Sequence, residues 1–588
     1  GRVGPPLTEA EARREPKARG RKPAQKSSSS HARLPVLLRL FQLTRVRPAA
    51  SQGGRNVSVS RTFPTVWLAN CGGWPRSLQA LIRSSVRNQR LAPAHLRSDP
   101  WHMHDPPSAP ADRRIALVAG AVAVCFLTVS IGAGSHFDSD DALYAQMARE
   151  MVQSGDFVDN RWSGVVLFEK PPLYLWSLAA SGATLGWSEA SLRIPGTLFA
   201  VLAIVSLFFL ATGFGANRRQ AVTAAGLLAG STLFVLLARR LMTDMPLVAC
   251  ALAAAACLAH GRTLGFGAFC GLAVLAKGPA AVPLLGGLVI AALWMKRLTF
   301  VELARAIGLG LFVAAPWHIL VTLRHGREFW DSYLGHHVAE RATQSVVPGL
   351  SLGQMGGVLL SERLLFLGGV IGLGVAAFRR FGSALERFAL VWLVVALVPP
   401  LISTTRLPHY LLPVVPAFAL FAVAAVPSRF WTARLAPLVA GCAVVASFVI
   451  DPAALAYWLD PDFGREHKRF GALVAEHASA DDQVAAFNTT TAALTFYANR
   501  PVLMVGSDTR FNEVQQAVLM VRRSGLHRPV TGPGFPAAQG KRFVLTRLVD
   551  VPRLAARLRH SSEGSPLFIV AADRLALLND AGVGEPLE

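Results

Sequence analysis

Residues 137–176 read FDSDDALYAQMAREMVQSGDFVDNRWSGVVLFEKPPLYLW. The stretch follows the apolar run Ile115–Gly134 and opens on three acids, Asp138, Asp140 and Asp141. Its next segment, 141–153, sets Ala145, Ala148 and Val152 on one helical face, so it is expected to lie along a membrane interface rather than cross it. The Glu169-Lys170-Pro171-Pro172 corner then ends any preceding helix. Two prolines fix an extended backbone and present both charges at a defined place.

Working outward, the composition requires lipid as solvent. The chain is 52% hydrophobic and 16% charged, against about 25% charged residues in an ordinary soluble protein. After the first apolar run, further runs fall near 193–213, 219–238, 243–260, 264–277, 279–295, 301–322, 356–377, 388–402, 411–426 and 435–450. They give about eleven crossings, with 173–187 as a short or re-entrant helix that raises the count towards thirteen.

Basic residues set the orientation. If Arg113 and Arg114 are cytoplasmic, alternation places Arg218, Arg219, Arg262, Lys296, Arg297, Arg379, Arg380, Arg387, Arg429 and Arg434 on the same side, as the positive-inside rule requires. The same alternation sends 135–190, Arg239 to Asp244, Lys277, 323–355, 403–410 and 451–588 outside. The fold expected is an all-α polytopic membrane bundle (103–450) carrying a small C-terminal extracytoplasmic α/β domain (451–588). In that tail, QVAAFN, RFVLTRL and PLFIVAA read as strands, and 510–525 and 551–561 as helices.

The formal charge of +23 does not indicate nucleic acid. Residues 1–102 hold 19 Lys or Arg against 4 Asp or Glu, which leaves only +8 for the rest of the chain. Those first residues are Arg-, Pro- and Ser-rich without periodicity and cannot bury a core. They are read as a disordered or non-native extension, with translation expected to start at or near Met103. Cysteines 125, 250, 257, 270 and 442 lie in apolar stretches without metal-ligand spacing, and none follows residue 451, so the tail has no disulfide of its own.

Polar side chains at membrane depth are costly, and here they collect on the outer side. The other outer loops contribute Arg239, Arg240 and Asp244, then Lys277 in LAKGP, His336, His337 and Arg341 in YLGHHVAER, and Arg406 to Tyr410 in RLPHY. Carboxylates on one rim with Arg, Lys and His on the others suit activation of an acceptor while a phosphate leaves. The bland readings are an interfacial helix end for Asp140, headgroup snorkelling for Arg239 and Arg240, and solvated histidines.

The run D-D-A-L-Y-A-x-x-A-R-E-M-x-x-S-G-D-F-V followed by E-K-P-P-L-Y-L-W resembles the 4-amino-4-deoxy-L-arabinose transferases of lipid A and the related dolichyl-phosphate-mannose protein mannosyltransferases, membrane glycosyltransferases of the GT-C class. Further matches are R-I-P-G from Arg193, L-M-T-D-M-P ending at Pro246, L-A-K-G-P at 275–279, A-P-W-H at 315–318 and L-P-H-Y-L-L-P at 407–413. The resemblance spans about residues 112–426.

It implies Asp140, Asp244 and Lys170 as catalytic residues. Lys170, Arg239, Arg240, Tyr410 and Tyr144 would contact the donor phosphate, with Asp141, Arg341 and Lys277 secondary, towards the acceptor. Glu169 and one of His336 or His337 match positions where part of the class associates a divalent cation. Two departures stand out: Asp141 replaces a Glu, and Leu143 stands where the aminoarabinose enzymes carry an Arg. The class is therefore read more firmly than the sugar.

The activity implied is inverting transfer from a polyprenyl-phosphate-linked sugar to a lipid, glycan or protein acceptor at the outer face of a bacterial inner membrane, without nucleotide. No glycine-rich phosphate loop follows a strand. A non-catalytic lipid-sugar flippase is the alternative, but it would carry charges along the midplane of both halves of a repeat.

Overall fold

The computed structural model describes residues 110–136, 140–168, 170–340, 350–404, 406–432, 434–449, 465–487, 492–505, 542–546, 567–571, 574–579 and 582–586. The expectations for residues 1–102, Met103, Asp138, Glu169, Arg341, and the helices near 510–525 and 551–561 lie outside them. In chain order the helices are α1 (Pro110–Thr128), α2 (Asp140–Ser154), α3 (Leu173–Leu185), α4 (Glu189–Gly213), α5 (Arg218–Ala229), α6 (Thr232–Ala238), α7 (Asp244–Ala259), α8 (Thr263–Lys277), α9 (Val282–Trp294), α10 (Phe300–His325), α11 (Leu352–Ser361), α12 (Arg363–Phe378), α13 (Ala384–Ile402), α14 (Val415–Ala425) and α15 (Leu435–Val449). A two-stranded hairpin, β1 (Arg161–Trp162) and β2 (Val165–Val166), interrupts the first loop.

Each apolar run found in the sequence is helical along most of its length, and the chain is a multi-pass membrane protein. Among the described residues five helical stretches are long and apolar enough to cross a membrane. The number is seven if the bent pairs α5/α6 (66°) and α11/α12 (103°) each count as one span, with α3, α7 and α15 shorter. Each bent pair falls on one of the expected crossings, 219–238 and 356–377.

One of the five, Thr263–Trp294, has 32 residues of nearly unbroken helical backbone. It is nevertheless a hairpin. Lys277, at the end of α8, meets Asp244 at the start of α7. Twenty residues on, Arg297 donates to the carbonyl of Ala259 at the far end of α7 (3.3 Å) and stands over Phe214 at 4.9 Å. A continuous helix of that length would separate its ends by about 48 Å; here both ends return to one rim. The reversal occurs at Gly278, whose φ of 58° suits a residue without Cβ, and where an added Cβ would strike the Tyr333 ring.

The two rims of the bundle differ chemically. On one, Arg218 pairs with Asp112, Arg219 donates to the carbonyl of Trp431 (3.1 Å), Arg297 meets Ala259, and Arg379 donates to the carbonyl of Ala424 (3.2 Å). These are the residues that charge counting groups together. The opposite rim carries α2, Arg239–Asp244, Lys277 and Tyr410. Between the rims the helices pack through small residues, which permit close backbone approach where lipid supplies no hydrophobic drive. At Gly267 a Cβ would strike the Ala306 carbonyl oxygen.

The tail forms the expected α/β unit: α16 (Arg465–His477), β3 (Gln483–Phe487), α17 (Ala492–Ala498), β4 (Leu503–Val505), β5 (Arg542–Thr546), β6 (Leu567–Ala571), β7 (Arg574–Asn579) and β8 (Gly582–Pro586). Its sheet order is β4-β3-β5-β6-β7-β8, parallel from β4 to β6 and antiparallel beyond. Helix α17 lies against α2: the hydroxyl of Tyr497 accepts the His136 amide proton (2.7 Å) and donates to Glu189 (2.9 Å), and Arg149 donates to the Phe496 carbonyl (2.7 Å).

Candidate active site

Two antiparallel helices bring the first charged pair together. Asp244 opens α7 and Lys277 closes α8, so each charge also suits the dipole end that carries it. Lys277 Nζ lies 2.6 Å from Asp244 Oδ1, with both side chains largely buried, and 5.5 Å from the Tyr410 ring centroid. Lys170, Tyr333 and Tyr410 complete the polar end of a cavity of about 260 Å³. Its other walls, Ser403 apart, are apolar, among them Pro283 and Leu284 of α9 and Val395, Ala396, Pro399 and Ile402 of α13. A charged head and a hydrocarbon chain would thus find matching surroundings in one space.

Asp140 and Asp141 form the first turn of α2 on the same rim. Asp140 does not line the cavity but lies near it: its charge, with those of Asp244, Lys277 and Arg240, acts on His409. Asp141 is buried and accepts from Arg240 Nε at 3.2 Å. Burial pushes its carboxyl above the usual carboxylate range, against the opposing pull of Arg240 and Arg193.

The neighbours Arg239 and Arg240 have different roles. Arg239 is 2% exposed and donates to the Ser130 carbonyl, and Arg193 donates to those of Ile131 (2.9 Å), Ala133 (2.6 Å) and Ser135 (2.9 Å). Both arginines hold the chain that leaves α1. Arg239, expected near the donor phosphate, is thus placed against the backbone that leaves α1. Tyr144, also expected near that phosphate, is buried with Ala145, Trp162 and Leu175 in the apolar cluster beneath α2.

Lys170 is positioned by a braced loop. The carbonyl of Lys170 accepts from Asn160 Nδ2 at 2.6 Å, and the indoles of Trp176 and Trp317 donate to the carbonyls of Phe157 (2.8 Å) and Val158 (2.9 Å). Asp159 is nearly inaccessible, 2.7 Å from Arg161 and 2.8 Å from His325. Asp156 pairs with Arg324 at 2.8 Å. Partial burial raises the Asp156 carboxyl, but hydrogen bonds from Arg324 and from the amides of Val158 and Asp159 outweigh it and pull the group down to about 2.

Of the expected site residues, the structure brings together Lys170, Asp244, Lys277 and Tyr410, with Asp140, Asp141 and Arg240 adjoining. His336 and His337 stand on the π-helical turn Asp331–Glu340, but their side chains, Glu169 and Arg341 lie outside the described residues. Among the described residues no three His, Cys, Asp or Glu side chains cluster to hold a metal. Tyr333 was missed. It lies on the same turn, three residues before the histidines that drew notice, and its hydroxyl lies 3.2 Å from His318 Nε2.

The sequence profile of the dolichyl-phosphate-mannose-protein mannosyltransferase family matches residues 169–319, from the E-K-P-P corner to the middle of α10. The undecaprenyl phosphate-α-4-amino-4-deoxy-L-arabinose arabinosyl transferase of Pectobacterium carotovorum is 29% identical over 329 residues, 51% of this chain and 56% of its own. Transferase 2 of Pseudomonas fluorescens is 27% identical over 292 residues, 47% and 49%. The chain is similar to these transferases over about half of its length. It spans about half the length of the curated relatives it matches. The crystal structure of ArnT from Cupriavidus metallidurans bound to undecaprenyl phosphate superposes with a TM-score of 0.59 at 19% identity, covering 79% of this chain and 94% of that one. The apo form gives 0.58 at 21% identity, with 78% and 93% covered. At such identities the likeness establishes the fold, the multi-pass GT-C-type bundle.

Proposed function

We propose that the chain is an inverting glycosyltransferase that moves a sugar from a polyprenyl-phosphate donor to a lipid (lipid A-like), glycan or protein acceptor. One observation carries this reading: Lys170, Lys277, Asp244 and Tyr410, scattered over 240 residues of sequence, line one cavity whose remaining walls, Tyr333 and Ser403 apart, are apolar. Lys170 and Lys277 face the donor phosphate, and Asp244 holds Lys277 in place. Tyr410 stacks against the ammonium. The names of the relatives, which specify undecaprenyl phosphate and aminoarabinose, support the donor class; Leu143 leaves the sugar open.

In the reaction, the acceptor oxygen bonds to the anomeric carbon as the bond from that carbon to the phosphate oxygen breaks. The electron pair leaves with the polyprenyl phosphate, where cations stabilise it. A hydroxyl acceptor gives its proton to Asp140, at the rim of the cavity; a phosphate acceptor needs no base, and Asp140 then positions it. The rim of Arg218, Arg219, Arg297 and Arg379 faces the cytoplasm and the rim of the candidate site, with the tail, faces outward from the bacterial inner membrane, in keeping with the positive-inside rule.

The test is transfer by purified full-length protein from a polyprenyl-phosphate sugar, with Asp140→Asn and Lys170→Ala alongside wild type. Loss of at least a hundredfold in both is expected; full activity in Asp140→Asn refutes its assignment. Mass spectrometry of envelope lipids and glycoproteins from a deletion strain names sugar and acceptor. Labelling of cysteines placed in 140–168 from the cytosolic side would overturn the orientation.

A further inference from the structure

A second cleft, of about 390 Å³, lies where the tail meets the first loop. Arg149, Trp187 and Glu189 contribute to it from the bundle, and Lys468, Phe496 and Asn499 from the tail. None of its residues lines the cavity of Lys170 and Asp244. The lining carries two cations, Arg149 and Lys468, and a single carboxylate, Glu189.

That carboxylate is committed to Lys468, whose Nζ lies 2.8 Å away, and it also accepts from the Tyr497 hydroxyl at 2.9 Å. Arg149 has no carboxylate partner among the described residues. Its side chain is 9% exposed, and Nη1 donates to two neutral acceptors, the Phe496 carbonyl (2.7 Å) and Asn499 Oδ1 (3.1 Å). The guanidinium lies 4.1 Å from the Phe496 ring centroid and 5.3 Å from that of Trp187. Nε and Nη2 have no hydrogen-bond partner among the described residues. Burial lowers the pKa of this group to about 10, and no neighbouring carboxylate opposes the shift. The excess of positive charge reaches past the cleft: Arg193, Lys468 and Arg149 act together on the buried His136, against Glu189 alone. A buried cation without a counter-charge is costly, and this one stands in the wall of a cleft.

The unused edge of the guanidinium selects the ligand. Nε and Nη2 form the planar fork that takes two oxygens of a phosphate or a carboxylate. Lys468 favours the phosphate. Of its three N–H donors, one serves Glu189 and a second points to the Gly134 carbonyl at 3.5 Å, and the third has no partner among the described residues. A tetrahedral phosphate has oxygens beyond the two that the fork holds; a carboxylate has none.

We propose that this cleft binds a phosphate group between Arg149 of α2 and Lys468 of α16, and that the bound anion ties the tail to the first loop. Only the docked tail presents both cations, so an anion held by both stabilises docking by mass action. The site is independent of the transferase reading. Its phosphate comes either from solution or from the headgroup of a lipid.

Full-length protein in a non-ionic detergent is titrated with inorganic phosphate, against potassium chloride of equal ionic strength, and proteolytic release of the tail is timed. Phosphate at ten times its Kd should slow release about tenfold. The midpoint of that response should rise about tenfold in Lys468→Gln and in Arg149→Lys, each of which removes a charge-assisted contact. It should fall about threefold in Glu189→Gln, which frees Lys468 and removes the one repelling charge while keeping an acceptor for Tyr497. Each variant is compared with itself with and without phosphate, so a tail loosened by lost Phe496 and Asn499 contacts does not mask the response. Lys170→Ala, which weakens the other cationic cavity, should leave the response unchanged. Nanodiscs of phosphatidylcholine with and without phosphatidic acid separate the sources. Slow release that no longer responds to phosphate once phosphatidic acid is present assigns the site to a lipid headgroup, and an undiminished response assigns it to a soluble anion. No slowing beyond that of chloride, wild-type midpoints in Lys468→Gln and Arg149→Lys, a raised midpoint in Glu189→Gln, or loss of the response in Lys170→Ala overturns the proposal.

Discussion

Replacing Lys277 by Met removes the cation that lies 2.6 Å from Asp244. The Asp244 side chain is 5% exposed and that of Lys277 12%, so water screens the pair poorly. Breaking a buried ion pair by removing one partner costs about 3–5 kcal/mol, because the remaining charge loses its compensation, whereas replacing both by apolar groups of similar volume is close to neutral. Lys277→Met should therefore lower the thermal midpoint by about 6–10 °C, taking 2 °C per kcal/mol for a large domain, and Asp244→Leu/Lys277→Met should recover most of that loss. The same melts with polyprenyl phosphate test the phosphate role. A ligand at a hundred times its Kd stabilises by about 2.7 kcal/mol, and this increment should appear in wild type and vanish in both variants. A Lys277→Met midpoint within one degree of wild type, or a double variant no more stable than the single, would refute the electrostatic argument. Undiminished ligand stabilisation in the double variant would refute the contact with phosphate.

Further outcomes follow from the packing and the loop. Gly267→Ala should destabilise by about 1–3 kcal/mol, as overpacking does, since the new Cβ meets a backbone oxygen rather than a movable side chain; thermal melts check it against Gly286→Ala, where nothing lies within 4 Å. Asp156 has a carboxyl held down to about 2, below an unfolded value of about 3.9. Its contribution to loop stability is complete above pH about 4 and is lost as pH falls towards 2, so hydrogen exchange across 155–168 should accelerate in that window for wild type and not for Asp156→Asn. Tyr497→Phe removes one acceptor and one donor from buried partners and should cost about 1–3 kcal/mol at the tail contact, read as faster proteolytic release of the tail; unchanged cleavage would remove that hydroxyl from the docking contact.

The grouping of charged residues on the rims was legible because it is one-dimensional: apolar runs and the Lys and Arg residues between them follow from chain order alone. The corner at Pro171-Pro172 was legible only in part: the prolines mark where α3 begins, but Pro172 takes φ −87°, ψ −7° in place of the extended backbone expected, and Glu169 lies outside the described residues. Arg239 and Arg240 show where such reading stops. They share composition, loop and charge, and yet Arg239 turns inward to a carbonyl of the chain leaving α1 while Arg240 reaches Asp141. Only the three-dimensional placement of Ser130 and Asp141 separates them. Tyr333 and the apolar wall from Val395 to Ile402 were equally invisible, because a cavity wall exists only after remote helices pack.

The hairpin at Gly278 joins local signal and global arrangement. Its sequence, LAKGPAAVP, carries a Gly and two Pro in an otherwise helical run, which permits a break without stating its angle. A kink would send Lys296 and Arg297 to the rim that holds Lys277; a reversal returns them to the rim of Arg262. Charge patterning favours the reversal, since it keeps basic loops together, and the contact of Arg297 with Ala259 shows that the chain makes it. This turn also creates the candidate site: it leaves Lys277 beside Asp244 and turns Pro283 and Leu284 into the cavity wall. Loss of the turn would therefore displace the cation and the apolar lining together.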